Sequence, residues 1–417
     1  MRKQSIAEGR TSRVVWENLE EWARKKLQEF VQSLLEEEVT ELVGRKKSER
    51  RKAVDSPPVY RNGYGKGRRL TLGCGTIRVR RPRVRGLEGR FESRVLPLFA
   101  RRSKGVSELM PQLYLHGLAL GDFDLALKGL LGEEAPVSAT TVARLKERWQ
   151  LEWEEWNRRS LEDLEVVFLW VDGIYVKAGL EKEKAALLVV IGGLSDGRKT
   201  VLAVEPGYRE STESWSGVLR SLKERGMNCP RAVTGDGNLG IWGALRDVYP
   251  AVLEQRCWNH KVLNVLDKLP KKVQLKAKRQ LQSIVYSESQ QEAEEKRDLF
   301  VLWCKREGYD RASETLLRDW ERMITFYRFP KEHWKHLRTT NIVESPFAAL
   351  RLRTDAAKRY RKVGNATAVI WKMLMLAERR FRRLDAPEKL LQVYLGFGAG
   401  EAHKGPEIKR EEVLAIA

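Results

Sequence analysis

Three apolar runs follow one another from Val166 onward: VVFLWVDGIYV, AALLVVIGG and TVLAVEPG. They are rich in β-branched and aromatic residues and separated by short polar segments such as LSDGRK, which predicts a three-stranded meander. A helical stretch from Ser214 to Arg225, a fourth strand in RAVTGDG, a helix through Leu245, a short strand at Glu254 to Cys257 and a further helix continue the series. A meander followed by βα units specifies a mixed α/β sheet.

The flanks have a different texture. Before the sheet, Trp16, Leu19, Ala23, Leu27, Phe30, Leu34 and Leu42 recur at spacings of three and four and end at Gly44, as in an amphipathic helix. RKKSERRKAVDSPP then reads as a basic linker, able to lie along phosphates or simply to be solvated. TLGCGTIRVRRPRVRG alternates Ile77, Val79 and Val84 with basic residues, like a short β-ribbon with one cationic face. FDLALKGLL, the turn GEEAPV and ATTVARLKERW, with Ser138 as cap, have the spacing of a helix-turn-helix. Its Thr140, Arg144 and Lys146 are placed either to reach a major groove or merely to flank a packed helix. After the sheet, Pro270 to about Tyr327 is charged and helical, and a long basic helix is expected from Thr340 to Arg361.

Charge narrows the function. Lys and Arg number 78 against 57 Asp and Glu in 417 residues, a formal net charge of +21, which points to a polyanionic partner. That imbalance disfavours a small-metabolite enzyme, while the 42% apolar fraction is that of a folded protein. The four cysteines are widely spaced without a CxxC pair, so a reducing compartment is expected. With no long uncharged apolar stretch, the expectation is a soluble cytoplasmic protein without a membrane partner.

Two carboxylates stand at the ends of apolar strands, Asp172 in VVFLWVD and Asp236 in RAVTGD, each followed by glycine. Strand ends are where α/β sheets place their chemistry, and hard divalent cations are the natural partners of buried acids. Each XDG taken alone is equally a turn cap. The segment Gly235 to Gly240 is formally GxGxxG, but Asp236 inside that loop would repel a pyrophosphate, which argues against dinucleotide binding. A third acid, Glu344 in TTNIVESPFAALRLRT, falls in the first turns of a helix capped by Thr339 or Thr340, with Arg351 and Arg353 able to meet phosphate.

The series VDGIYVKAG, GYRESTESWSGVLRSLKERG, GDGNLGIWGALRDVYP, QRCWNHKVLNVLDKLP and TTNIVESPFAALRLRT resembles the Mutator-like family of bacterial insertion-sequence transposases, over about residues 60 to 382. The resemblance implies a DDE enzyme: an α/β, RNase H-like mixed-sheet catalytic core interrupted by an all-helical insertion, with a mainly helical N-terminal DNA-binding region. Carried over by motif, the triad is Asp172, Asp236 and Glu344, holding two Mg²⁺ ions for which Mn²⁺ would substitute. The implied function is binding of terminal inverted repeats, then strand cleavage and transfer on double-stranded DNA by a homo-oligomer. The corresponding division is 1–58 for helix and linker, 59–160 for DNA binding, 161–269 for the first part of the core, 270–335 for the insertion, 336–385 for the last part of the core and 386–417 for a tail. A nuclease without joining activity and a non-catalytic DNA-binding derivative are the alternatives.

Cys257 and His260 match the family's CxxH pair and are expected to support the site. With His333 and His336 they admit a second reading, one tetrahedral zinc. Pro346, close behind Glu344, is expected to delay or kink the helix that presents the acid. Of the 13 Trp, Trp170 reads as core, whereas Trp320 or Trp334 could stack on an unpaired base.

Overall fold

The computed structural model describes residues 16–50, 59–119, 122–132, 139–179, 184–207, 209–237 and 239–396. The chain divides between Leu145 and Lys146 into two units. In the first, α1 (Leu19–Val43) ends at Gly44, whose left-handed backbone, φ 66°, brings its N–H 2.9 Å from the Thr40 carbonyl. The packed stripe is not the one the sequence periodicity suggests. Leu35 and Val39 are buried, whereas Trp16, Leu19, Phe30 and Leu42 are exposed. The packing partner decides: Leu35, with Val31, meets Leu70, Ile77 and Val79 of the neighbouring β-structure and Leu96 beyond it, and that surface selects a different face of the helix.

The ribbon expected from the alternating basic segment is half of a pair. β1 (Tyr60–Tyr64) runs antiparallel to β4 (Pro82–Arg85), and β2 (Arg68–Leu72) to β3 (Gly75–Val79). In β3 the alternation holds, with Ile77 and Val79 buried and Arg78 exposed. Two glutamines of α1 close the far edge of this strand. Gln28 Oε1 accepts from the Arg78 N–H at 3.0 Å, and Gln32 exchanges two 2.9 Å bonds with the Arg80 backbone. They do for the edge what another strand would. Helices α2 (Lys104–Leu115), α3 (Asp122–Leu131) and α4 (Ala139–Trp156) follow. The two helices of the expected helix-turn-helix are therefore present as α3 and α4, but its cap Ser138 and most of its turn lie outside the described residues.

The second unit is built on β5 (Val166–Val176), β6 (Ala185–Leu194), β7 (Lys199–Gly207), β8 (Ala232–Gly235) and β9 (Leu253–Arg256), in the spatial order β7-β6-β5-β8-β9. The meander is antiparallel and the two later strands are parallel to β5, so the sheet is mixed. The central strands are apolar along most of their length because both faces are covered. On one face Leu169, Val171, Leu188 and Val190 meet Trp215, Leu219 and Leu222 of α5 (Thr212–Glu224) and Trp242 and Leu245 of α6 (Leu239–Val248). On the other, Phe168 stacks edge-on to Phe329 at 5.2 Å, and Trp170 Nε1 donates to the His336 carbonyl at 2.8 Å.

Beyond β9 the described chain is helical: α7 (Trp258–Leu266), α8 (Lys271–Val285), α9 (Gln290–Arg306), α10 (Asp310–Leu317), α11 (Trp320–Met323), α12 (Trp334–Leu337), α13 (Asn341–Glu344), α14 (Phe347–Ala357), α15 (Val363–Glu378) and α16 (Pro387–Leu395). The single helix expected from Thr340 to Arg361 is two. Pro346 has no N–H for a bond to the Ile342 carbonyl, so α13 stops after one turn and α14 restarts behind the proline.

Candidate active site

Sheet geometry brings the first two acids together. β5 pairs with β8 only across Phe168, Leu169 and Trp170, and β8 stops at Gly235, immediately before Asp236. Asp172 lies just past the point where that parallel pairing gives out. It does not end its strand, as the sequence suggests, since β5 continues to Val176 against β6. The carboxylate oxygens of Asp172 and Asp236 converge with that of a third acid, Glu210, all within 4.8 Å of one another. Glu210 is buried and stands at the entry to α5. Nothing in the sequence pattern assigns it chemistry.

Glu344 arrives on α13, which packs against β5 and β6. Its side chain belongs to a second cluster, in which one ligand atom each of Cys257, His260 and Glu344 lie within 4.8 Å of one another. Cys257, fully buried, precedes α7, and His260 sits one turn into it with its Nδ1 3.8 Å from Glu344 Oε1. Thr340 does not cap α13 through its side chain. Its hydroxyl instead lies 3.1 Å from Cys257 Sγ and bonds Glu344 Oε1, tying the acid to the sheet end.

The two clusters feel each other. Burial pushes the Asp172 carboxyl up to about 7, against a hydrogen bond from the Gly173 N–H, and the charges of Asp236, Glu210 and Glu344 push the same way. The imidazole of His260 is raised to about 9, first by its hydrogen bond with Cys257 and then, against burial, by Cys257, Glu344 and Asp236. A protonated imidazole donates hydrogen bonds and does not ligate metal.

A profile of the Mutator family of transposases matches residues 3–381. The chain belongs to the Mutator family of transposases. It is 42% identical over 305 residues to the transposase for insertion sequence element IS6120 of Mycolicibacterium smegmatis, covering 73% of this chain and 93% of that one. It is 40% identical over 273 residues to the transposase for element IST2 of Acidithiobacillus ferrooxidans, 65% and 92% of the two chains. Identity to the transposase for IS256 in transposon Tn4001 of Staphylococcus aureus is 26% over 345 residues, 82% and 86%.

Elsewhere in this Mutator-family transposase the expected residues are distributed unevenly. Arg144 is exposed on α4, Lys146 is partly buried, and the side chain of Thr140 lies outside the described residues. Arg351 faces solvent on α14 but Arg353 is 1% exposed, because positions two apart on a helix point to opposite sides. Arg353 is thus a core residue in this structure, not a surface cation. His333 and His336 do not join Cys257 and His260. His333 Nε2 lies 3.3 Å from the Ala386 carbonyl, and His336 Nε2 accepts from the Asp385 N–H at 3.2 Å. Trp320 and Trp334 are buried, the first edge-on to Trp258 at 5.9 Å, the second against Tyr327 at 4.7 Å.

A cationic groove is present that the sequence does not single out residue by residue. In the first unit a groove of about 700 Å³ is lined by Lys66, Arg68, Arg81, Arg83, Arg85, Arg90 and Arg101, with no acid among the described lining residues. Burial, with Arg81 and Arg101 nearby, holds the Arg68 guanidinium below its ordinary value. Such crowding of like charges favours an anion in the groove. Among the described residues no helix is long and apolar enough to cross a membrane.

Proposed function

We propose that this chain is a DDE-type DNA transposase that cleaves and joins DNA strands at the ends of its element through Asp172, Asp236 and Glu344. The observation that carries the reading is the convergence of Asp172, from β5, with Asp236, from the loop after β8, beside Glu344 of α13, whose charge acts on Asp172 from the adjoining cluster. The strand order, an antiparallel meander followed by two parallel strands, supports an RNase H-like core, and the helical run between β9 and Glu344 supports an insertion between the second and third acids.

The carboxylates of Asp172 and Asp236, whose oxygens lie within 4.8 Å of each other, fit Mg²⁺ or Mn²⁺ as hard oxygen donors. A divalent ion held there supplies an acidified attacking oxygen and neutralises charge on the phosphodiester and its leaving oxygen. The protein's own part is positional. β5 and the end of β8 fix Asp172 and Asp236, while Thr340 holds Glu344 and the His260 imidazole stands 3.8 Å from it. In water the same carboxylates would not hold this spacing against their mutual repulsion. In this reading the arginine groove of the first unit supplies phosphate affinity, and Arg144, exposed on α4, supplies base-edge contact. The family resemblance implies a homo-oligomer on DNA as the active form.

The test is Asp172→Asn, Asp236→Asn and Glu344→Gln on DNA carrying the element's terminal repeats. Each should abolish cleavage and strand transfer and leave repeat binding nearly intact. Strand transfer retained in any one variant removes that residue from the triad, and cleavage without joining by the unaltered protein would favour the nuclease alternative.

A further inference from the structure

We infer that Glu210 is a fourth carboxylate of the metal site, binding the same ion as Asp172 and Asp236. The inference rests on the transposase reading above and extends it to a residue outside the family triad. Its basis is positional. Among the described residues, the acid whose oxygen converges with those of Asp172 and Asp236 within 4.8 Å is Glu210, while Glu344 is grouped with Cys257 and His260. If one ion is held by the first two acids, Glu210 is within its reach.

The surrounding backbone is shaped to admit this side chain. At Gly173, beside Asp172, a Cβ would come 2.8 Å from Glu210 Cδ and closer still to its carboxylate oxygen. At Gly240, on the first turn of α6 behind Asp236, a Cβ would lie 2.8 Å from the Ser211 carbonyl carbon and would strike the Glu210 carbonyl oxygen. Both glycines sit within a few residues of a triad acid, and both leave the space that Glu210 occupies. Arg209, just before it, adopts the left-handed backbone at φ 59°, which a non-glycine residue enters at a cost and which turns the chain into α5. Tyr175 of β5, the strand that carries Asp172, is close enough to Glu210 that, after burial, the charge of this acid helps push its phenol up to about 12. A buried acid supported on so many sides is suited to hold an ion.

The experiment measures Mn²⁺ binding to the full chain without DNA, by the loss of the free-ion spin-resonance signal, alongside the metal-induced rise in melting temperature. Glu210→Gln keeps size and polarity; it should weaken Mn²⁺ binding by tenfold or more, with a melting temperature in chelator near that of the unaltered protein. Gly173→Ala should do the same by displacing the carboxylate, and Glu210→Asp should restore binding only in part. Unchanged Mn²⁺ affinity in Glu210→Gln, with Asp172→Asn losing it, overturns the role of Glu210 and leaves the triad standing. Unchanged affinity in Asp172→Asn as well overturns the metal site itself. If Glu210→Gln lowers only the melting temperature in chelator, the residue is a structural support and the inference fails.

Discussion

Lys261 offers a prediction whose size can be worked from the structure. It is 1% exposed on α7, beside His260 but pointed inward, where its ammonium donates to the Arg318 carbonyl. Burial, then Arg256, lowers its pKa from 10.5 to about 7, with Asp319 opposing and Arg318 adding. Every tenfold loss of proton affinity costs the charged form about 1.4 kcal/mol, so the displacement corresponds to roughly 5 kcal/mol, and relaxation with water reaching the amine reduces this to roughly 2–4 kcal/mol. The sign follows from the protons. Between pH 7 and about 10.5 the unfolded lysine carries a proton that the folded one has shed, so stability rises with pH across that window. Below pH 7 both forms are protonated and the cost is fully present. Lys261→Met keeps the apolar stem, removes the charge and loses one hydrogen bond worth about 1 kcal/mol, for a net gain of roughly 1–3 kcal/mol at pH 7. Urea unfolding followed by tryptophan fluorescence at pH 7 and pH 10 measures it. The variant should be more stable at pH 7 and lose its advantage at pH 10. A less stable variant at pH 7, or the same difference at both pH values, refutes the reasoning.

Thr340→Val removes the hydroxyl that joins Cys257 Sγ to Glu344 and should slow strand cleavage by about 10- to 100-fold with repeat binding intact, Thr340→Ser restoring the rate. Because Asp172 titrates near 7 and an ion competes with its proton, Mg²⁺ affinity measured by calorimetry should fall by up to about tenfold per pH unit below 7; a flat profile between pH 5.5 and 8 contradicts this. Arg83→Ala and Arg90→Ala should weaken binding to repeat and random DNA alike, each lowering the salt slope by about one, whereas Arg144→Ala should cost more on the repeat, as filter binding at two salt concentrations would show. Elemental analysis of the purified protein should find no tightly held zinc, since His333 and His336 turn to the Asp385–Ala386 backbone and away from Cys257; zinc that disappears in His333→Ala reverses this.

Much of the sheet is legible in the sequence because its signal is local. The meander reads directly from its apolar runs and polar gaps, and each βα step from a short strand followed by a helix. What stays illegible depends on partners remote in sequence. The face of α1 that packs is not the one its periodicity marks, because the helix carries apolar residues nearly all round, and the residues that choose among them are Leu70, Ile77, Val79 and Leu96. The break behind Glu344 is legible from Pro346 alone, whereas its extent, one turn of α13 and a restart at Phe347, is not. Composition groups Arg353 with Arg351, and only helical geometry separates them.

At the site, sequence reaches the acids that close a recognisable motif and misses the one that does not. Asp172 and Asp236 stand before a glycine at the end of an apolar run, a pattern with a physical meaning. Glu210 sits in GYRESTESW, where an acid before a Ser-Thr cap looks like any helix entry. The readable trace of it is the glycines. GDGNLG resembles a dinucleotide loop, yet Gly237, at φ 96°, leaves room for the Arg256 guanidinium, and Gly240 for the Glu210 backbone. A glycine-rich turn states that something approaches closely, and its spacing alone does not say what. In this chain Asp236 already excludes pyrophosphate from the loop. The closeness then has to come from within the protein, and the Glu210 backbone and the Arg256 side chain are what the fold brings there.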